Sequence, residues 1–309
     1  MDERTGRCSR RGFLRGTLLT GSLAVTGGCS ALGLGDTLAR IRDEQVVRIG
    51  IADERPYSYL EGDRVEGAIA AVHREVFRRI GDIEIDAVVT PFGELVEALN
   101  GGTVDVVAAG MFVTADRCEL VAFSAPVYCA PTGLLVAAGN PLGLDDLGSV
   151  ARTGASLAVL AGAVEREYAL AAGVPADRII LVGTPEDGLA AVADGDVDAL
   201  ALTAISLRSL LAPPGGPAPT GVELLAPFAP VIGGEPRLGC GAAAFRRPDE
   251  TLRAEFDDVL AALRDEGALL ELMAPFGFTR DEMPDPGVTT EQLCRVEHGA
   301  GTELDPLPR

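Results

Sequence analysis

Thr90-Pro91-Phe92-Gly93-Glu94-Leu95, running on to Gly102-Thr103-Val104-Asp105-Val106, returns as Thr184-Pro185-Glu186-Asp187-Gly188-Leu189 and Gly195-Asp196-Val197-Asp198-Ala199. Each copy spells a turn, a helix-length stretch, a glycine turn and an apolar run, the order strand end, helix, turn, strand. Around the first copy, β-branched runs predict strands at 46–51, 83–89 and 104–109, with a helix at 93–99 between the last two. A further helix at 68–80 sets Ile69, Val72, Val76, Phe77 and Ile80 on one face, and Gly81 ends it. Around the second copy, strands are expected at 156–160, 179–182 and 199–202. Strand-helix alternation implies a parallel sheet, and two such copies imply two lobes of one topology. A Pro/Gly-rich surface loop at 213–221 precedes a strand at 237–245 and a helix at 249–263, which return to the first lobe. Crossings near Tyr128 and Cys240 then form a two-strand hinge. The expected fold is α/β, each lobe a mixed, mostly parallel sheet flanked by helices. The first lobe covers 45–129 and 240–285, the second 130–239, and a C-terminal tail 286–309.

The 309 residues, 47% apolar, suffice for two buried cores. Residues 1–28 stand apart from the fold. Arg4, Arg7, Arg10, Arg11 and Arg15 precede an apolar run at 18–25 too short to span a bilayer, the pattern of a signal peptide. Within it, Ser9-Arg10-Arg11-Gly12-Phe13-Leu14-Arg15 resembles the twin-arginine export motif. Thr26-Gly27-Gly28-Cys29 resembles a lipobox, with Thr26 where Leu is usual, so Cys29 is the candidate lipidation site and 29–44 a linker. The expected location is the outer side of the cytoplasmic membrane, lipid-anchored, or else the periplasm or extracellular space.

The formal charge is −20, and five arginines against two acids in residues 1–28 leave the remainder at −23. Nucleic acid is thereby excluded as an expected partner. All basic side chains other than histidine are arginines. An exported chain with Cys118, Cys129, Cys240 and Cys294 is a disulfide candidate with three possible pairings. No CxxC or Cys/His cluster suggests a metal, and no cofactor is expected.

The segment Asp105-Val106-Val107-Ala108-Ala109-Gly110-Met111-Phe112-Val113-Thr114-Ala115-Asp116-Arg117, ending in Phe123-Ser124-Ala125-Pro126-Val127-Tyr128, resembles extracellular solute-binding proteins of the polar amino acid class of ABC importers. The resemblance extends over 46–293. Within the class, Gly110-Met111-Phe112 with Arg117-Cys118-Glu119, Ala161-Gly162-Ala163-Val164-Glu165, Gly241-Ala242-Ala243-Ala244-Phe245-Arg246 and Pro275-Phe276-Gly277-Phe278-Thr279 resemble ectoine/hydroxyectoine-binding proteins. This implies a type II periplasmic-binding-protein-like fold, a monomer that captures a small zwitterion and delivers it to a permease with a cytoplasmic ATPase.

The resemblance also implies a ligand set at strand ends facing the cleft. Arg117 holds the position that grips the ligand carboxylate, a task suited to a planar guanidinium fork. Tyr57, Phe92 and Phe112 fall in three loops as aromatic faces for a cation, while Met111 is expected to pack. Glu54 and Glu165 face the delocalised positive charge from opposite lobes, with Glu165 opening a helix whose free N–H groups suit an anion. Thr203 stands where amino acid binders of the family place an aspartate for the ammonium, and Ala163 where they carry Ser or Thr. Both departures argue against a standard α-amino acid. They favour ectoine, a carboxylate on a ring amidinium. Ala68-Ile69-Ala70-Ala71 lacks the polar residue the family carries at this helix start. Cys118 and Cys294 match the ectoine-binding pattern as a bridged pair, and Cys129 and Cys240, on the two hinge strands, are candidates for a second.

A polar amino acid or betaine-like solute on the same fold is one alternative. An enzyme resembling cyclohexadienyl dehydratase is another, with cleft acids transferring protons. Against it, His73 lies within a predicted helix and His298 in the tail, so no nucleophile has a base; the chain is not expected to be an enzyme.

Overall fold

A computed structural model describes residues 37–213 and 215–295. The twin-arginine leader, Cys29 and His298 lie outside the described residues. The chain first lays down β1 (Val46–Ile51), the hairpin β2 (Tyr59–Glu61) and β3 (Arg64–Glu66), then β4 (Glu84–Val89), β5 (Val106–Val107), β6 (Ala122–Phe123) and β7 (Tyr128–Ala130). It continues through β8 (Thr132–Ala137), β9 (Leu157–Leu160), β10 (Ile179–Val182), β11 (Ala199–Thr203), β12 (Val222–Leu224) and the hairpin β13 (Val231–Ile232) and β14 (Glu235–Pro236). It returns through β15 (Gly239–Gly241) and β16 (Ala244–Phe245).

Two five-stranded sheets result, ordered β4-β1-β5-β16-β6 and β10-β9-β11-β8-β12. Position by position they match: β1 and β9 each run parallel to both neighbours, and the fourth strand, β16 or β8, runs antiparallel to the third. The repeated topology announced by the sequence echo is therefore present in both lobes. Alternation along the strands explains the cores. In the second lobe, Leu157, Val159, Ala199 and Ala201 join one apolar cluster while Ala158, Leu160, Leu200 and Leu202 join the other. The sheet is thus buried on both faces, as parallel sheets require. Its counterpart behaves alike, with Val106 in one cluster and Val107 in the other. At the outer edge, β4 carries Glu84, Asp86 and alternating exposure, which suits an edge strand.

The fourth strand of each sheet is supplied just after the chain crosses between lobes. The crossings β7 and β15 pair antiparallel, with Cys129 directly opposite Cys240. These two cysteines form a disulfide, and Cys118 and Cys294 form another.

Several expected elements differ. Part of the expected linker at 29–44 is the helix Thr37–Glu44, whose Leu38 and Ile41 are buried in the first lobe's core, and the strand expected at 104–109 is reduced to β5. The strand expected at 237–245 is broken between β15 and β16, because β15 belongs to the hinge pair and β16 to the first sheet. One straight strand cannot serve both. The helix Ala68–Gly81 includes Gly81, and Asp82 adopts the left-handed cap at φ 56°, donating to the Phe77 and Arg78 carbonyls; a short acidic side chain tolerates that region. The two echo copies also diverge. Thr184 caps the continuous helix Pro185–Asp194 by accepting from the Asp187 N–H. In the first copy Phe92–Glu94 form a 3₁₀ turn before the helix Leu95–Asn100, with no side-chain cap.

The echo's aspartates diverge as well. Asp198 is exposed and holds Ser156, whereas Asp105 is buried among Arg48 at 2.9 Å, Arg40 at 2.6 Å and Arg246 at 3.5 Å. It ties the N-terminal helix Thr37–Glu44, β1 and the return segment together. Burial pushes its carboxyl up, but hydrogen bonds from Arg48 and Arg40 outweigh this and leave it lowered. A lowered folded-state pKa stabilises above the unfolded value, near 3.9, and that stability is lost as pH falls through the folded one. Asp105→Asn is expected to cost about 2–3 kcal/mol at pH 7, below the figure for fully buried pairs because the arginines retain solvent contact. Melting curves from pH 2 to 7 check this, the difference from the unaltered protein narrowing below pH 4.

Candidate functional site

The C-terminal ends of the parallel strands converge on one cleft, where open α/β sheets place their ligands. Glu54 and Tyr57 lie in the loop after β1, closed by the Glu54 N–H donating to the Ser58 carbonyl. Phe92 opens the 3₁₀ turn after β4, and Phe112 follows the turn that ends β5. Arg117 sits in the helix Ala115–Leu120, whose cap, Thr114, accepts from the Arg117 N–H. From the other lobe, Glu165 starts the helix Glu165–Ala171 beyond β9. Thr203 ends β11 and caps the helix Ala204–Leu211.

All seven residues singled out in the sequence line a single pocket of about 350 Å³, its open mouth included. Met111 instead lies in the core and Ala163 lines the pocket. Among the described residues no group of three or more His, Cys, Asp or Glu is placed to hold a metal. His73 is buried against Phe256, its Nδ1 2.8 Å from the Ile69 carbonyl, in the first lobe's core.

The lobes touch through polar groups. The Tyr57 hydroxyl lies 2.7 Å from Thr203 Oγ1, which donates to Ser206 Oγ at 2.8 Å, and Ser206 Oγ donates across the cleft to Glu54 Oε1 at 2.7 Å. Arg117 Nη1 donates to the Phe112 carbonyl at 2.6 Å and Nη2 to the Gly162 carbonyl of the facing lobe at 2.8 Å. A guanidinium has five N–H donors, so three are left for a ligand. Its carbon lies 5.6 Å from the Phe92 ring centroid, within cation–π range. Beneath Arg117, Gly93 and Gly162 bring the two backbones together: a Cβ added at Gly162 would stand 2.4 Å from the Gly93 Cα.

Behind the pocket the aromatic rings form a cluster. Tyr57 and Phe112 flank Tyr128 at 5.3 and 5.9 Å between centroids, and the Tyr128 hydroxyl donates to the Gly110 carbonyl at 2.6 Å. The rings sit in space left by hinge glycines, since a Cβ at Gly239 would fall 2.0 Å from Phe112 and one at Gly241 2.1 Å from Tyr128.

Burial dominates the electrostatics. Glu54, 7% exposed, is pushed up to about 8 by burial; the Ser206 hydrogen bond opposes this, and Glu165 and Glu186 add to it. Glu165, 3% exposed, is pushed up to about 7 by burial, opposed by hydrogen bonding to its own backbone N–H and by Arg117, and reinforced by Glu167. Burial lowers Arg117, with Glu167 and Glu165 opposing, and it raises Tyr57 and Tyr128. The cleft thus combines one forked cation, two desolvated carboxyls and aromatic walls, a set able to hold an anion at one end and a diffuse cation at the other.

The sequence placed Tyr128 on the hinge but not behind the pocket, and it carried no sign of Ser206 or of the Gly93–Gly162 contact. The spacing Thr203-x-x-Ser206 marks the first turn of a helix, yet nothing local says that this turn meets Glu54 of the other lobe.

A family model for bacterial extracellular solute-binding proteins, family 3, matches residues 47–279. The chain is 34% identical over 263 residues to a probable amino-acid ABC transporter periplasmic-binding protein, y4tE of Sinorhizobium fredii, covering 84% of this chain and 86% of that one. Among solved structures, EhuB in complex with hydroxyectoine superposes with a TM-score of 0.76 at 33% identity, covering 85% of this chain and 99% of EhuB. An ancestral amino acid-binding protein, AncCDT-1, described as a precursor of cyclohexadienyl dehydratase, superposes at 0.67 with 19% identity over 78% of this chain and 99% of its own, a likeness of fold.

Proposed function

This chain belongs to the bacterial extracellular solute-binding proteins, family 3, and from that footing we propose that its cleft captures ectoine or hydroxyectoine. It is the solute-binding protein of an ABC importer of the amino-acid type. The finer reading rests on one observation, the company that Thr203 keeps. Position 203 presents a hydroxyl, engaged by Tyr57 and Ser206, in place of a carboxylate for an α-ammonium. The remaining groups suit a compact zwitterion. Arg117 takes the carboxylate, Glu165 and Glu54 face the ring amidinium, and Tyr57, Phe92 and Phe112 supply its walls. The bound ligand of EhuB, the neighbour at 33% identity, supports the choice.

Capture works by closure. A hinged pair of lobes shifts toward the closed state only by what the solute gains from contacts made there. In this reading, segments 45–129 and 240–285 move against 130–239 about the disulfide-linked hinge, and Arg117 joins ligand carboxylate to both lobes. The closed monomer is then recognised by the permease, which the cytoplasmic ATPase drives, and no chemistry is done on the solute. Export by the twin-arginine route and anchoring through Cys29 belong to the same proposal. No helix among the described residues is long and apolar enough to cross a membrane.

One observation favours a second reading, a polar amino acid of net positive charge: two carboxyls against one guanidinium leave an ionised pocket at −1. Isothermal titration at pH 7 separates the two. Ectoine or hydroxyectoine is expected to bind with a dissociation constant below ~10 µM, with arginine, glutamine and glycine betaine each at least roughly tenfold weaker. Tighter binding of arginine or glutamine than of ectoine defeats the proposal.

A further inference from the structure

The two carboxyls of the cleft are not equivalent. Glu165 stands at a helix start within reach of the Arg117 charge, and both features favour an anion. Glu54 makes no ion pair among the described residues. Its partner is a run of hydroxyls in which Tyr57, Thr203 and Ser206 follow one another, ending on Glu54 Oε1.

The groups facing Glu54 from each packed element are few. Its own loop offers the Tyr57 hydroxyl, and Arg55 of that loop is turned onto the Tyr59 ring and Glu61. The helix Ala204–Leu211 offers Ser206, while its Arg208 is paired with Glu282 at 2.5 Å. The helix Glu165–Ala171 contributes Glu165, the helix Pro185–Asp194 contributes Glu186, and the hinge contributes the Tyr128 hydroxyl. Arg117 lines the same pocket.

A zwitterion has one carboxylate and one cation. Its carboxylate engages Arg117, and its cation can neutralise a single glutamate. A second ionised glutamate would be left as a desolvated charge without a counter-ion, an arrangement that proteins avoid by protonation. Building on the zwitterion reading above, we infer that Glu54 is the neutral acid of the ligand-bound cleft, and that the proton it carries selects the net charge of the solute. With the proton in place the site accepts a net-neutral zwitterion; without it the site favours a solute with an additional positive charge. The raised pKa of Glu54, about 8, with burial as its largest cause, agrees with this assignment.

The sign of the pH dependence follows by linkage. If Glu54 takes up its proton as the cleft closes, ectoine affinity falls with rising pH, by at most about tenfold per pH unit, over the range in which Glu54 is ionised in the open cleft and protonated in the closed one, where burial raises it to about 8. Glu54→Gln fixes the neutral form. At pH 9 this variant is expected to bind ectoine at least about tenfold more tightly than the unaltered protein, having lost the falling limb. Arginine affinity of the unaltered protein rises across the same limb, and the variant loses that rise.

Titration calorimetry from pH 6 to 9.5 reads all of this. A variant that binds ectoine more weakly than the unaltered protein at pH 9, or an unaltered protein whose ectoine affinity does not fall between pH 6 and 9.5, overturns the inference. Infrared difference spectra of the ectoine-bound protein against ectoine-bound Glu54→Gln, taken at pH 6.5, read the proton in the closed cleft, where the facing lobe buries Glu54. A carboxylic-acid C=O band assigned to Glu54 supports the inference, and its absence overturns it. If ectoine does not bind but glutamine or glycine betaine does, the choice of solute has failed, and the same spectra taken with that net-neutral solute test the charge assignment by themselves.

Discussion

Replacing Arg117 by alanine is expected to raise the dissociation constant for the captured solute at least thirtyfold, a loss of about 2 kcal/mol or more. Two losses coincide at this side chain. Among the described residues the guanidinium is the one cation lining the pocket, so without it the ligand carboxylate is desolvated with no counter-charge. Its Nη2 also reaches the Gly162 carbonyl of the facing lobe, so a tie that exists only when the lobes meet goes as well. Most of the loss therefore falls on the dissociation rate. Arg117→Lys tests the geometry, because a point charge cannot hold the Phe112 carbonyl, the Gly162 carbonyl and a carboxylate together. Its affinity should lie between the two. Calorimetry with the alanine variant decides the matter, and an unchanged affinity would remove Arg117 from the site.

Gly162→Ala should weaken capture by about tenfold to a hundredfold while leaving the fold intact. Its Cβ would lie 2.4 Å from the Gly93 Cα and 3.1 Å from the Gly93 nitrogen, backbone atoms of the opposite lobe that cannot swing aside. The lobes must then stop short of contact. Arg117 would lose its reach to Gly162, and the Tyr57–Thr203 and Ser206–Glu54 bonds would stretch. Gly162 also sits at φ +79°, where a side chain carries a backbone cost. Gly195, at the same φ with nothing within 4 Å, isolates that cost. Gly195→Ala should lower stability by about 1 kcal/mol and leave binding alone. Equal loss of affinity in both variants would show that backbone strain, not interlobe contact, is responsible.

Much of the architecture was legible because it depends on neighbours in sequence. The apolar runs of β1 and β10 have the bounds their composition predicts, 46–51 and 179–182. The echo foretold two sheets of one topology. Glu54, Tyr57, Phe92, Phe112, Arg117, Glu165 and Thr203 were reached from residue type at strand ends together with family resemblance, and they share one pocket. Parallel strands explain the convergence, since their C-terminal ends all open on the same side.

What the chain alone determined is thus the set of elements and the chemistry at their ends, both written in periodicity, turn residues and side-chain type. Tertiary structure alone decided how those ends meet. The break between β15 and β16 arises because one segment serves two sheets. The pairing of Cys129 with Cys240 depends on a register set across 111 residues. Ser206 becomes a partner of Glu54, and Gly162 of Gly93, only when the lobes come together. The raised pKa values of Glu54 and Glu165 have the same origin, for burial by the facing lobe is a property of the assembled cleft and of no segment within it.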